Sequence, residues 1–182
     1  MHNPVRAQAS LIDSTFEYIF AAEHPYKKAL RLEKSLQYFV GLGFTSDTLE
    51  PYIQFDKLTP QMVLMLESYT ARKLISLGEY ESLISQSKSL NPYIQFQIGN
   101  SCYFKGDEME AISSWKKAIS LSNNNIDSSL YSSLLNNIGA VYWGTNFLDS
   151  ALVYFMKAKE FTFWHNEMLE ANILAIANTL GE

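Results

Sequence analysis

The chain has 182 residues, 47% of them hydrophobic and 18% charged, with a formal net charge of −5 and one cysteine. That is enough for one domain with a full core and too little for two comfortable ones. It excludes intrinsic disorder and a disulfide scaffold, and the acidic balance argues against a general nucleic-acid footprint.

Almost every segment repeats its apolar residues at three and four, the period of a helix buried on one face, and no strand alternation is sustained. In chain order the pattern predicts ten helices over 5–22, 26–41, 47–57, 60–77, 80–90, 92–105, 108–121, 128–144, 148–161 and 167–181. Thr59-Pro60 and Asn91-Pro92 set a capping side chain before a proline at the first helical position, where the missing amide costs nothing. Asp127 and Asn166 are further candidate caps, and Gly41, Gly43, Gly78 and Gly106 stand where helices should stop. Short connections make consecutive helices antiparallel. The polar run from Ser122 to Asn125 reads as a loop between hairpins. No stretch reaches the roughly 20 apolar residues of a membrane span. Asp13 and Glu17 interrupt the region where a signal peptide would be apolar, so the default location is cytoplasmic.

Two segments superimpose when Gly99 is laid on Gly139. Ile98 then matches Ile138, Ala111 matches Ala151, Trp115 matches Phe155 and Ala118 matches Ala158. A hairpin explains these offsets. A glycine on the first helix admits the second helix closely, alanines on the second accept the approach, and one aromatic fills the gap. The pattern resembles the tetratricopeptide repeat, with its glycine on the first helix and A-x3-F on the second. The two glycines stand 40 residues apart, against about 34 in the family, and the Asn-rich loop absorbs the excess. The longer form is similar to the signalling and cargo-binding branch of that family.

The resemblance implies an all-α, right-handed alpha-alpha superhelix of stacked hairpins. Residues 1–57 read as a helical N-terminal extension, and 58–182 as the array. The array divides into a degenerate copy over 58–91, full copies over 92–126 and 127–165, and a half repeat or capping helix over 166–182. In the degenerate copy Ala71 takes the glycine's place, and Leu83, Ser87 and Leu90 replace the alanine–aromatic–alanine set. Asn172 to Ala175 look like the opening of another copy. The last segment is apolar nearly all round, with Leu169, Ile173, Leu174, Ile176 and Leu180. Three explanations stand: the chain continues into a longer array, it self-associates through this end, or Asn172, Thr179 and Glu182 form a modest cap.

In the resembled family, first helices line a concave groove. The corresponding positions are Phe96, Gln97, Asn100, Tyr103 and Phe104 in one copy, and Asn136, Asn137, Ala140, Trp143 and Gly144 in the next. The degenerate copy offers Ser68, Arg72, Ile75 and Ser76. An asparagine two before the glycine, here Asn137, binds peptide backbone in related repeats, and an amide both donates and accepts. Phe96, Tyr103, Phe104 and Trp143 are the candidate apolar anchors, although aromatics at this spacing more often pack as core. The chaperone-type carboxylate clamp does not carry over, since Phe96 stands where a basic residue is needed.

The expectation is a non-catalytic adaptor that binds a protein or peptide segment, with no cofactor. The alternative is an oligomerisation segment of a larger complex, or the regulatory repeat domain of a signalling protein. Lys27, Lys28, Arg31 and Lys34 form a basic face, read mainly as a solvated helix surface. The histidines, His2, His24 and His165, have no metal-ligand spacing. Cys102, three after Gly99, falls on the packed side of its helix and reads as a buried structural thiol. A Cys102–His165 nucleophile pair is a remote alternative. Glu79, Glu81, Glu108 and Glu110 suit the starts of helices.

Overall fold

Proline and capping residues start most of the helices in the computed structural model, which describes residues 4–122, 128–161 and 173–174. Thr59 Oγ1 accepts from the Met62 amide at 3.3 Å, and Asn91 Oδ1 accepts from the Tyr93 and Ile94 amides at 2.9 and 3.3 Å. Asp107 Oδ1 accepts from the Glu110 amide in the same way, a cap the sequence reading did not single out. The described residues are helical, with no strand among them. The candidate caps Asp127 and Asn166, and the helix expected over 167–181, lie outside them apart from residues 173–174.

The chain divides into two compact units, Met1–Glu79 and Tyr80–Glu182. Its length reads as one domain, but two long helices and the shorter ones that follow give the first unit a buried core of its own. The first unit holds α1 (Pro4–Phe20), α2 (Pro25–Gly41), α3 (Ser46–Leu49), α4 (Pro60–Glu67) and α5 (Tyr69–Ser76). Helices α4 and α5 both pack on α2. Ile12, Phe16 and Ile19 meet Leu32, Leu36 and Phe39 in a buried core closed by Met62, Met65 and Tyr69. The Tyr69 hydroxyl donates to the Phe44 carbonyl at 3.0 Å, which satisfies the one polar atom of that ring.

Two of the expected helices in this unit are broken. The helix expected over 47–57 ends at Leu49 and gives way to 3-10 turns at Glu50–Tyr52 and Phe55–Lys57. Pro51 is the cause: it has no amide to donate to the carbonyl four residues back, so the helical ladder stops and the chain tightens into a 3-10 turn that carries the proline near its start. The helix expected over 60–77 is interrupted at Ser68, whose buried hydroxyl donates back to the Met65 carbonyl at 2.8 Å. Such back-bonding competes with the helical ladder.

The second unit holds α6 (Tyr80–Ile84), α7 (Pro92–Phe104), α8 (Glu108–Leu121), α9 (Ser128–Gly144) and α10 (Leu148–Glu160). The last four agree with the expected ranges to within one residue. The helix expected over 80–90 stops at Ile84 and continues as tight turns. Its freed carbonyls are satisfied from the side, because Gln95 Nε2 donates to both Ser87 O and Ser89 O at 2.8 Å. The two helices expected to pair in the degenerate copy therefore fall in different units.

The packing pairs α7 with α8 and α9 with α10, and α8 also packs on α9. At Gly99 an added Cβ would stand 2.3 Å from Trp115 Nε1, and at Gly139 it would stand 2.8 Å from Phe155 Cδ1. Ala111, Ala118, Ala151 and Ala158 are fully buried around the two aromatics. The five positions matched in the sequence are thus all buried in two packed helix pairs, with the glycine against the aromatic in each. Gly106, at φ +84°, reverses the chain after α7; Asn146, at φ +64°, does so after α9.

Candidate functional site

Helices α7 and α9 carry no charged residue along their length. Their outer faces hold most of the candidate groove residues, and a chain of hydrogen bonds runs across them. The Trp115 indole N–H, arriving from α8, is shared between the Phe96 carbonyl and Asn100 Oδ1, both at 3.2 Å. Asn100 Oδ1 also accepts from Asn137 Nδ2 at 3.1 Å, which links α7 to α9. Asn100 Nδ2 in turn donates to Gln97 Oε1 at 3.3 Å. Neither asparagine is simply solvated. Each is half-buried and oriented by the protein itself.

The aromatic residues sort by exposure. Tyr103 is 44% exposed, Phe104 58% and Trp143 39%. Each leans on a ring beneath it: Tyr103 lies 6.2 Å from Trp115, Phe104 lies 5.8 Å from Tyr80, and Trp143 meets Phe155 edge-on at 6.4 Å. They are held at the surface rather than free to turn. Tyr103 and Trp143 occupy the same register position in successive hairpins, four after each glycine.

The remaining candidates are less available. Gln97 is buried and spends its carbonyl on Asn100. Phe96 is half-buried and offers its backbone carbonyl to Trp115. Asn136 is half-buried, and its Oδ1 is buried with no hydrogen-bond partner among the described residues. Ser68 is buried and Arg72 pairs with Glu33 at 3.9 Å, both within the first unit. The linkage of Asn100 to Trp115 and Asn137 escaped the sequence reading. The only available hint was that the aromatic of this repeat is a tryptophan, which has a donor to place, where the next has phenylalanine.

Other features resolve toward structure. Cys102 is buried; burial first, and then the Glu110 and Asp107 carboxylates, push its thiol up from the ordinary range. A protonated, enclosed thiol is a poor nucleophile. His165 lies outside the described residues. In the basic face, the Arg31 guanidinium sits 4.0 Å from the centre of the Tyr18 ring and donates to the Tyr18 carbonyl. Among the described residues no helix is long and apolar enough to cross a membrane. Compared with known proteins, the chain matches no family model and no curated sequence.

Proposed function

We propose that Tyr80–Glu182 is a tetratricopeptide-like stack, wound as a right-handed alpha-alpha superhelix, that serves as a non-catalytic adaptor for a protein or peptide segment. The observation that carries this reading is that Asn100 of α7 and Asn137 of α9 are hydrogen-bonded to one another, with the exposed rings of Tyr103 and Trp143 further along the same two helices. After donating to Asn100, the Asn137 amide keeps a second N–H and a carbonyl oxygen, which is the pair an extended backbone presents. The rings supply rigid apolar anchors of low conformational cost. Because both helices lack charge, the partner segment they suit is neutral and apolar, bound by main-chain hydrogen bonds and side-chain burial.

Selection from a random peptide library, followed by fluorescence anisotropy, tests this. Enriched peptides should be neutral with aromatic or aliphatic anchors, and Tyr103→Ala combined with Trp143→Ala should weaken them by about tenfold or more. Equal affinity in a double variant with unchanged melting temperature removes the groove.

A second reading, self-assembly, is favoured by the outer face of α10, where Val153 and Met156 are both exposed. Light scattering decides it: a dimer or larger species supports assembly, and a monomer at high micromolar concentration dismisses it.

A further inference from the structure

The first unit contains a pocket that the adaptor reading does not use. Where Pro51 ends the helix begun at Ser46, the chain runs through two 3-10 turns before Pro60 starts α4. Between this irregular segment and α4–α5 lies a cavity of about 360 Å³, at the lower end of the roughly 300–1,000 Å³ typical of small-molecule sites. Leu49, Ile53, Leu58 and Leu66 form apolar walls. Tyr69 lines it as well, with its hydroxyl already donated to the Phe44 carbonyl, so it contributes ring rather than polarity.

Charge enters with one sign only. Glu50 and Glu67 line the pocket, both exposed residues, and no lysine, arginine or histidine does. Phe55 also lines it and is 63% exposed, a large apolar ring held toward water by a 3-10 turn. Carboxylates and an aromatic ring both attract a cation, the ring through its negative face. An apolar cavity with such a lining discriminates against anions and favours an ammonium group attached to an apolar body.

We propose that this pocket binds a small organic cation, an aliphatic or aromatic molecule bearing one ammonium group, with its body against Leu49, Ile53 and Leu66 and its charge beside Glu50 and Phe55. The site belongs to the first unit alone and is independent of the α7–α9 face. Either can fail without the other.

The test titrates the full chain, methyl-labelled for NMR, with heptylammonium, 1-heptanol and heptanoate, three ligands of equal chain length. Heptylammonium should give saturable shifts at the methyls of Leu49, Ile53 and Leu66, and bind about threefold or more tighter than heptanol. Heptanoate should not bind. Glu50→Gln, at an exposed position that leaves the fold intact, should weaken heptylammonium about twofold to fivefold. Val63→Trp, which fills the cavity from α4, should abolish the shifts. If heptanol binds as tightly as heptylammonium, or Glu50→Gln changes nothing, the cation assignment is overturned. If heptylammonium does not saturate while the pocket methyls broaden with protein concentration, a second copy of the chain occupies the pocket and the small-molecule proposal falls.

Discussion

Gly99→Ala tests the packing of the α7–α8 pair most directly. The new Cβ would lie 2.3 Å from Trp115 Nε1 and 2.4 Å from Trp115 Cδ1, far inside van der Waals contact. The indole has no room to retreat, because Ala111 and Ala118 are fully buried beside it and its N–H is shared between Phe96 and Asn100. Overpacking a rigid core costs about 1–3 kcal/mol. Displacing the indole from both acceptors adds about 1 kcal/mol or more. Alanine's better helix propensity returns about 1 kcal/mol. The net expectation is a loss of about 1–3 kcal/mol by urea unfolding followed through tryptophan fluorescence and circular dichroism. Gly139→Ala should cost less, since its closest approach is 2.8 Å to Phe155, a ring with no hydrogen bond to lose. If Gly99→Ala is as stable as the parent, or less damaging than Gly139→Ala, the close approach does not hold the pair together.

Further outcomes follow from single contacts. Asn91→Ala removes the cap on α7, two amide acceptor bonds at a buried site, and should cost about 1–2 kcal/mol in the same unfolding assay; Asn91→Asp should retain most of that. Burial raises the Tyr69 pKa from 10.0 to about 12. The folded state therefore holds this proton more tightly than the unfolded chain. The stability this contributes is fully present below pH 10 and is lost as pH rises through 12. Relative to Tyr69→Phe, the parent should lose up to about 2–3 kcal/mol over that window. Equal alkaline profiles for the two proteins would show that Tyr69 does not govern it. At neutral pH the variant should be weaker by about 1 kcal/mol for the lost bond to Phe44.

The well-read part of the chain is its second unit, and the reason is local. Asn91-Pro92 and Gly106 punctuate α7 by their own backbone chemistry, and Gly99, Ala111, Trp115 and Ala118 reveal a helix pair because small residues at those offsets serve close approach. Periodicity misled where a single residue outweighs a pattern. Ile53 and Phe55 continue an apolar rhythm past Pro51, but the proline ends the helix there by removing the amide that would have extended its ladder. Ser68 looks neutral in a helical run until its hydroxyl is seen turned to Met65. The candidate face was legible as positions, not as states. Nothing in the sequence separates buried Gln97 from exposed Tyr103, because that depends on which neighbours arrive from other helices.

The hydrogen-bond chain from Trp115 to Asn137 makes the orientation of the surface amides a consequence of how the α7–α8 pair packs. Asn100 Oδ1 accepts from both Trp115 and Asn137, and its Nδ2 donates to Gln97, so both ends of that amide are engaged. Trp115→Phe keeps most of the apolar filling while deleting the one donor that comes from within the core. Phe155 shows that a phenyl ring fills the equivalent place in the next pair. The variant should lose about 1–2 kcal/mol, from the smaller ring and the missing bond. The more telling readout is the side-chain amide spectrum. The resonances of Asn100 and Asn137 should both shift, although Asn137 makes no contact with the indole nitrogen, while the side-chain amide of Asn91, capping α7 at its other end, should stay in place. Movement at Asn100 alone would mean that Asn137 is positioned by its own helix. The packing of the repeat and the chemistry of its surface would then be separate properties.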